Sequence, residues 1–147
     1  MTVPNIILVV EDNPDDFEAT ERALRKAGIS NPIHHCEDGE DALDFLFNRG
    51  EYSSVKDYPA PGLVLLDLNL PGTDGREVLQ EMKNDPVKKS IPVIVLTTST
   101  DSVDIEKCYD AGANSYMNKR IDLIEFMAAI QRMSDFWLEI ALLPKKP

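Results

Sequence analysis

Short aliphatic runs alternate along the chain with segments in which apolar residues recur every three or four positions. Residues 6–10 (IILVV) form the first run, similar runs lie at 63–66 (LVLL) and 93–96 (VIVL), and a weaker one lies at 115–117. Unbroken runs of β-branched and aliphatic residues are typical of strands buried on both faces of a parallel sheet. A more polar candidate strand, residues 33–36 (IHHC), is expected nearer an edge of that sheet.

Helical patterns fill the spaces between these runs. Phe17, Thr20, Leu24 and Ala27 lie three or four positions apart and are followed by Gly28, a common helix stop. The other helical patterns are apolar clusters at 42–47, 78–82 and 105–111, and a final stripe from about residue 122 to 140. Alternating strands and helices predict an α/β fold, a single (βα)₅ unit with an open parallel sheet covered on both faces.

The chain shows no internal repeat and no linker between domains. We therefore expect one domain over residues 1–147, with a core at about 5–135 and a helix extension and tail at 136–147. Because so little chain follows the last helix, no output domain such as a helix-turn-helix module is expected. The polar stretch 48–61 is predicted to be a long surface loop.

Charge and cysteine content narrow the classes of partner and compartment. The 147 residues include 15 Lys or Arg and 26 Asp or Glu, a net charge of −11, which argues against binding nucleic acid or anionic lipid. Cys36 and Cys108 lie far apart, as expected of free thiols in a reducing compartment. Without a signal peptide or an apolar stretch of about 20 residues, the protein is expected to be soluble and cytoplasmic.

Polar residues follow the predicted strands at the edge where parallel sheets bind ligands. Glu11 and Asp12 follow the first run, Asp67 follows the third strand, Thr97 the fourth, and Lys119 comes just after the weak fifth strand. These side chains are therefore expected to meet at one place. Each alone has an ordinary explanation, such as a turn residue or a solvated charge, but their convergence does not.

The chemistry of that set favours a divalent cation and a phosphoryl group. Two carboxylates about 4 Å apart repel by ~4 kcal/mol at an effective dielectric of 20, so a cation is needed to keep them ionised. A few carboxylates suit Mg²⁺, which also accepts phosphate oxygens. We hypothesise phosphoryl transfer to Asp67, with Lys119 and Thr97 available to bind the transferred group. Asp15 and Asp16 are interpreted instead as helix-cap or first-turn acids.

The chain resembles the receiver domains of two-component response regulators over about residues 5–135. The resemblance is carried in order by VVEDN at 9–13, LLDLNLPGTDG at 65–75, PVIVLTTS at 92–99 and GANSYMNK at 112–119. It implies a flavodoxin-like receiver fold with strand order 2-1-3-4-5. It also implies that a sensor histidine kinase phosphorylates the protein, and that the protein takes part in its own phosphorylation and dephosphorylation without being an enzyme otherwise.

The resemblance also assigns roles to individual residues. Asp67 would be the phosphoacceptor. Mg²⁺, for which Mn²⁺ could substitute, would bind Glu11, Asp12, Asp67 and the backbone carbonyl of Asn69.

Three further residues match the family's catalytic and switch positions. Lys119 matches the family's lysine, Thr97 its switch hydroxyl and Tyr116 its switch aromatic.

A narrower resemblance is to stand-alone regulators paired with bacterial phytochrome-type histidine kinases. It rests on EDNPDD at 11–16, the segment 67–79, LTTS at 96–99 and FWLEIALLP at 136–144. The implied partners are a phytochrome-type kinase and a downstream protein target. The apolar end of the last helix is expected either to pack on its own sheet or to form a homodimer through the C-terminal strand–helix face.

One position departs from the family pattern. Lys119 is followed by Arg120, where the family usually has a proline, often after a cis bond. A cis bond before a non-proline residue costs about 3–4 kcal/mol, so the loop is expected to be trans with Lys119 shifted, or cis and strained. The alternative function that this departure favours is a receiver-like scaffold or adaptor that works without phosphorylation.

Two other classes fit the residues less well. A phosphatase with an aspartate nucleophile would have a second acid at position 69, where the chain has Asn69. The segment from Asp67 begins like a calcium-binding loop, but Pro71 replaces a ligand and Val78 stands where the final glutamate belongs.

Overall fold

Strand and helix alternate five times along the chain. The computed structural model describes residues 6–53, 60–119 and 123–140. The strands are β1 (Ile7–Val10), β2 (Ile33–Cys36), β3 (Leu63–Leu66), β4 (Val93–Thr97) and β5 (Ser115–Asn118). The helices are α1 (Pro14–Lys26), α2 (Gly39–Phe47), α3 (Gly75–Asn84), α4 (Ser102–Asp110) and α5 (Leu123–Ser134), and α5 continues as a π-helical segment, Asp135–Ile140.

All five strands pair in parallel in the order β2-β1-β3-β4-β5. The predicted (βα)₅ architecture and strand order are therefore confirmed. The central strands β1, β3 and β4 are buried along their whole length, whereas the edge strands β2 and β5 are mostly half-buried. This difference explains why the runs at 33–36 and 115–117 are the least hydrophobic of the five.

Successive strand residues point into two separate cores, one on each face of the sheet. On one face, Leu8, Val10 and Leu66 pack in a core that includes residues of α2 and α3. On the other face, Ile7 and Val9 pack in a core with residues of α1 and α5. Because side chains alternate along a strand, a strand that contributes to both cores must be apolar throughout.

The N-terminus of α1 is capped by a residue that the sequence analysis did not assign. Asn13 Oδ1 accepts hydrogen bonds from the backbone N–H groups of Asp15 (2.9 Å) and Asp16 (3.2 Å). Asp15 and Asp16 do lie in the first helical turn, as predicted, but neither carboxylate is the cap.

The predicted surface loop 48–61 begins with ordered structure. Residues Gly50–Tyr52 form a turn of 3₁₀-helix, and the Tyr52 side chain is buried. Its hydroxyl donates to Asp41 Oδ1 over 3.0 Å and lies 3.1 Å from Nε2 of His34. The first part of the predicted surface loop is therefore anchored to α2 and β2 through Tyr52, while residues 54–59 lie outside the described residues.

Two further expectations concern residues that lie outside the described ranges. Arg120 and the tail 141–147 are not among the described residues, so the geometry of the Lys119–Arg120 bond and the path of the tail are not described. Within the described ranges, no helix is both long enough and apolar enough to cross a membrane.

The Tyr52 anchor yields a stability prediction. Tyr52→Phe removes the buried hydroxyl that bonds Asp41, and we expect the free energy of unfolding to fall by about 1 kcal/mol. Urea unfolding followed by circular dichroism measures the change. Tyr109→Phe also removes a bonded hydroxyl, which accepts from the Tyr116 N–H over 3.1 Å, but at a half-exposed position. It is therefore the matched control for loss of a buried bond, and it is expected to change stability by less than about 0.5 kcal/mol. Equal effects of the two substitutions would contradict the anchoring role.

Candidate functional site

The carboxyl ends of the strands bring the predicted residues to one edge of the sheet. Glu11 follows β1, Asp67 follows β3, Thr97 ends β4 and Lys119 follows β5. The Lys119 ammonium contacts Oε1 of Glu11 and lies 3.2 Å from Oδ2 of Asp67. The structure therefore places residues from distant parts of the chain around one pocket, which we call the acidic pocket (Glu11, Asp12, Asp67 and Lys119).

Three carboxylates of the acidic pocket are close enough to share a cation. One oxygen each from Glu11, Asp12 and Asp67 lies within 4.8 Å of the others. Glu11 and Asp67 are 2% and 6% exposed, whereas Asp12 is open to solvent. This all-oxygen set fits a hard divalent cation such as Mg²⁺, and its exposed side leaves room for water or phosphate ligands.

Burial and neighbouring charges together set the pKa values of Glu11 and Lys119. Burial and the nearby Asp67 charge raise the pKa of Glu11 to about 7, despite its hydrogen bond from Lys119. Burial alone would lower the pKa of Lys119, but Glu11, Asp67 and Asp16 outweigh it, so that pKa is raised and the ammonium stays charged. One ammonium therefore does not balance the carboxylates around it, and a bound cation would compensate the excess negative charge.

The loop after β3 holds Asp67 through backbone packing. The Asn69 N–H approaches Oδ1 of Asp67 at 3.4 Å, and the Gly75 N–H donates to the Leu68 carbonyl over 2.9 Å. A Cβ at Gly75 would lie only 2.1 Å from the Asp67 carbonyl oxygen. Only glycine therefore allows α3 to begin this close to Asp67. The role of the Asn69 carbonyl as a metal ligand stays a prediction.

Thr97 and Tyr116 both contact the connection between β4 and α4. Thr97 is fully buried, its carbonyl accepts from the Lys119 N–H over 2.7 Å, and its hydroxyl lies 3.4 Å from the Ser99 N–H. The half-buried Tyr116 donates its hydroxyl to the Ser99 carbonyl over 2.9 Å. The two residues are therefore joined through Ser99, an arrangement that a coupled switch requires, although their switch roles stay predictions.

A network of charged side chains also contacts the connection between β4 and α4. The Arg76 guanidinium binds Asp104 in a bidentate pair at 3.0 and 2.9 Å and also binds Asp74. Asp104 in turn accepts from the Ser99 hydroxyl over 2.9 Å. Movement of Ser99 would therefore disturb contacts with Asp104 of α4, with Arg76 of α3 through Asp104, and with Tyr116.

The sequence analysis missed two contributors to the site. The Asp16 carboxylate lies 3.1 Å from the Lys119 ammonium, although it was interpreted as a cap or first-turn acid. Asn13 is a common cap residue and directly precedes the helix, and this was the available signal for a role of Asp16 in the site. A cap at Asn13 leaves the Asp16 carboxylate available to another partner. The second contributor is His35, whose Nε2 lies 2.8 Å from the Glu11 carbonyl oxygen and whose ring stacks on Phe17 with the ring centroids 3.7 Å apart.

Comparison with known proteins agrees with this geometry. A model of the response regulator receiver domain matches residues 7–131. The chain belongs to this family. Response regulator Rcp1 of Synechocystis is 41% identical over 141 residues, which cover 96% of this chain and 94% of Rcp1.

Solved structures extend the similarity to the whole fold. The phosphorylated cyanobacterial phytochrome response regulator RcpA is 39% identical with a TM-score of 0.89, over 97% of this chain and 99% of that one. The Mn²⁺-bound form of Rcp1 is 41% identical with a TM-score of 0.89, over 96% of this chain and 99% of that one. The expected similarity to response regulators paired with phytochromes is therefore confirmed.

The acidic pocket predicts that divalent cations stabilise this receiver domain. A cation that binds only the folded state at 100 times its dissociation constant adds about 2.7 kcal/mol to the free energy of unfolding. Thermal unfolding with and without Mg²⁺ should show this increase in the wild type. We expect Asp12→Asn to lose most of it and Glu81→Gln, at an exposed acid of α3, to keep it. An equal Mg²⁺ response in Asp12→Asn would exclude Asp12 as a ligand.

Proposed function

We propose that this receiver domain accepts a phosphoryl group on Asp67 from a sensor histidine kinase. Phosphorylation by a histidine kinase is the general role of the family to which the chain belongs. The observation that carries the assignment is the position of Asp67. Its carboxylate is nearly buried at the edge of the sheet, within 4.8 Å of two other acids and 3.2 Å from the Lys119 ammonium.

The proposed chemistry is a displacement at phosphorus. A carboxylate oxygen of Asp67 forms the new P–O bond while the P–N bond of a kinase phosphohistidine breaks, and the electron pair stays with the histidine nitrogen. Glu11, Asp12 and Asp67 would hold Mg²⁺, which neutralises charge on the transferred group. Lys119, already among these carboxylates, donates to a phosphoryl oxygen.

The signal would leave the site through Thr97 and Tyr116. Thr97 donates its hydroxyl to the new phosphoryl group, and Tyr116 follows because both residues contact Ser99. Such a change needs contacts that differ between the two states, and the aspartyl phosphate supplies them. The domain thus acts as a phosphoacceptor that takes part in its own phosphorylation and hydrolysis rather than as an enzyme with a separate substrate.

We further propose a phytochrome-type partner kinase. RcpA is described as a cyanobacterial phytochrome response regulator, and a third similar structure, at 33% identity and a TM-score of 0.88, is a response regulator in red light signalling of R. palustris. Phosphotransfer profiling against the histidine kinases of the source organism would test this pairing. Fastest transfer from a kinase of another sensory class would contradict it.

Mass spectrometry after incubation with acetyl phosphate and Mg²⁺ tests the phosphoacceptor. The wild type is expected to gain the mass of one phosphoryl group, and Asp67→Asn is expected to gain none because the amide is not a nucleophile of this kind. Asp110→Asn, at an exposed residue at the end of α4, should behave as the wild type.

Two results would overturn the proposal. A wild type that stays unmodified would favour the scaffold or adaptor that works without phosphorylation. A modification that persists in Asp67→Asn would place the acceptor elsewhere.

We also propose that a second copy of the chain covers the C-terminal face, formed by Ser115, Met117, Met133, Phe136 and Trp137. Together with Ala129 and Arg132, these residues line a groove of about 340 Å³. Trp137 packs partly on the core shared by α1 and α5, but Phe136 is 49% exposed. The last helix thus covers its own sheet and still presents an aromatic anchor for a partner.

Sedimentation with and without acetyl phosphate tests this homodimer. The wild type should include a dimer, and Phe136→Glu should shift it to monomer because it places a charge in an apolar contact. Val87→Glu is the matched control, because Val87 is 53% exposed and lies outside this face, and it should leave the distribution unchanged. A monomeric wild type in both conditions would reject a second copy as the occupant.

A further inference from the structure

The Lys119 ammonium has three carboxylate neighbours, and one of them lies outside the acidic pocket. Lys119 contacts Glu11, lies 3.2 Å from Asp67 and lies 3.1 Å from Oδ2 of Asp16. The Lys119 side chain is 10% exposed and that of Asp16 is 47% exposed. Asp16 is therefore the most exposed of the three carboxylates around the ammonium.

The orientation of Asp16 is not explained by its helix. Asn13 Oδ1 accepts the hydrogen bonds from the backbone N–H groups of both Asp15 and Asp16, so the Asp16 carboxylate is not needed to cap α1. Asp15 is exposed one position earlier in the same first turn. Any general effect of an acid near the helix N-terminus would thus be shared by both residues.

The proposed phosphorylation changes two of the three partners of Lys119. Glu11 and Asp67 belong to the carboxylate cluster that could hold the cation, and Asp67 becomes an acyl phosphate, a mixed anhydride, when it is phosphorylated. Asp16 lies outside that cluster. Of these three carboxylates, it alone is neither a candidate metal ligand nor the acceptor.

We infer that Asp16 is a positioning residue for phosphorylation, acting through Lys119. By accepting one N–H of the ammonium, it restrains the flexible lysine side chain so that the remaining donors face Asp67 and the incoming phosphoryl group. The restraint lowers the entropy that Lys119 must lose to reach the transition state. This inference rests on the proposed acceptor role of Asp67.

Asp15→Asn and Asp16→Asn separate this role from a general charge effect. Each substitution removes one negative charge from the first turn of α1. With acetyl phosphate and saturating Mg²⁺, we expect Asp16→Asn to be phosphorylated about fivefold more slowly than the wild type, the effect of losing one half-exposed charged hydrogen bond. Asp15→Asn should stay within about twofold. Asp16→Ala should match Asp16→Asn, and Asp16→Glu should recover much of the rate.

A second measurement distinguishes positioning of Lys119 from loss of the cation. Calorimetric titration with Mg²⁺ should give the same affinity for Asp15→Asn and Asp16→Asn, so that only the phosphorylation rate separates them. Equal phosphorylation rates in the two variants would overturn the inference, as would a fall in Mg²⁺ affinity that accounts for the slower rate of Asp16→Asn. If the wild type is not phosphorylated at all, the acceptor role of Asp67 fails first, and that outcome is distinct from both.

Discussion

The packing of like charges at the end of a buried sheet is the constraint on which the rest of this site depends. Glu11 and Asp67 are almost completely buried, and within the described part of the chain one ammonium, that of Lys119, reaches both. Two carboxylates at about 4 Å repel by ~4 kcal/mol at an effective dielectric of 20. The arrangement persists because parallel strands end at the same edge and two apolar cores fix those ends. The excess negative charge is what makes the pocket ready for a cation and a phosphoryl group.

One glycine and two polar side chains around the pocket help to place its acids. Gly75 lets α3 start against the Asp67 carbonyl, where a Cβ would lie at 2.1 Å. Asn13 caps α1 and so leaves the Asp16 carboxylate for Lys119. His35 holds the Glu11 carbonyl from the neighbouring strand. These contacts give α3 room beside Asp67, leave the Asp16 carboxylate available to Lys119 and fix the backbone of Glu11.

The same edge connects the pocket to the surface. The Lys119 N–H binds the Thr97 carbonyl, and Tyr116 and Asp104 both bind Ser99 in the following connection. A change at Asp67 can therefore reach α4 and the outer face through short, contiguous contacts. In the proposed mechanism Thr97 and Tyr116 transmit that change, because both contact Ser99.

Local patterns in the sequence determined the element order, the edge position of β2 and the acids that follow β1 and β3. These features depend on periodicity and on strand ends, which neighbouring residues encode directly. Local sequence patterns did not predict two contacts between residues that are distant in the chain. Tyr52 is buried against Asp41, and Asp16 contacts Lys119, which lies 103 positions later. An acid is common in the first turn of a helix, and Asp15 and Asp16 both lie there, so the neighbouring sequence does not distinguish the two. Only the folded sheet, which places β5 beside β4 and the start of α1 near their ends, decides which of the two acids faces the ammonium.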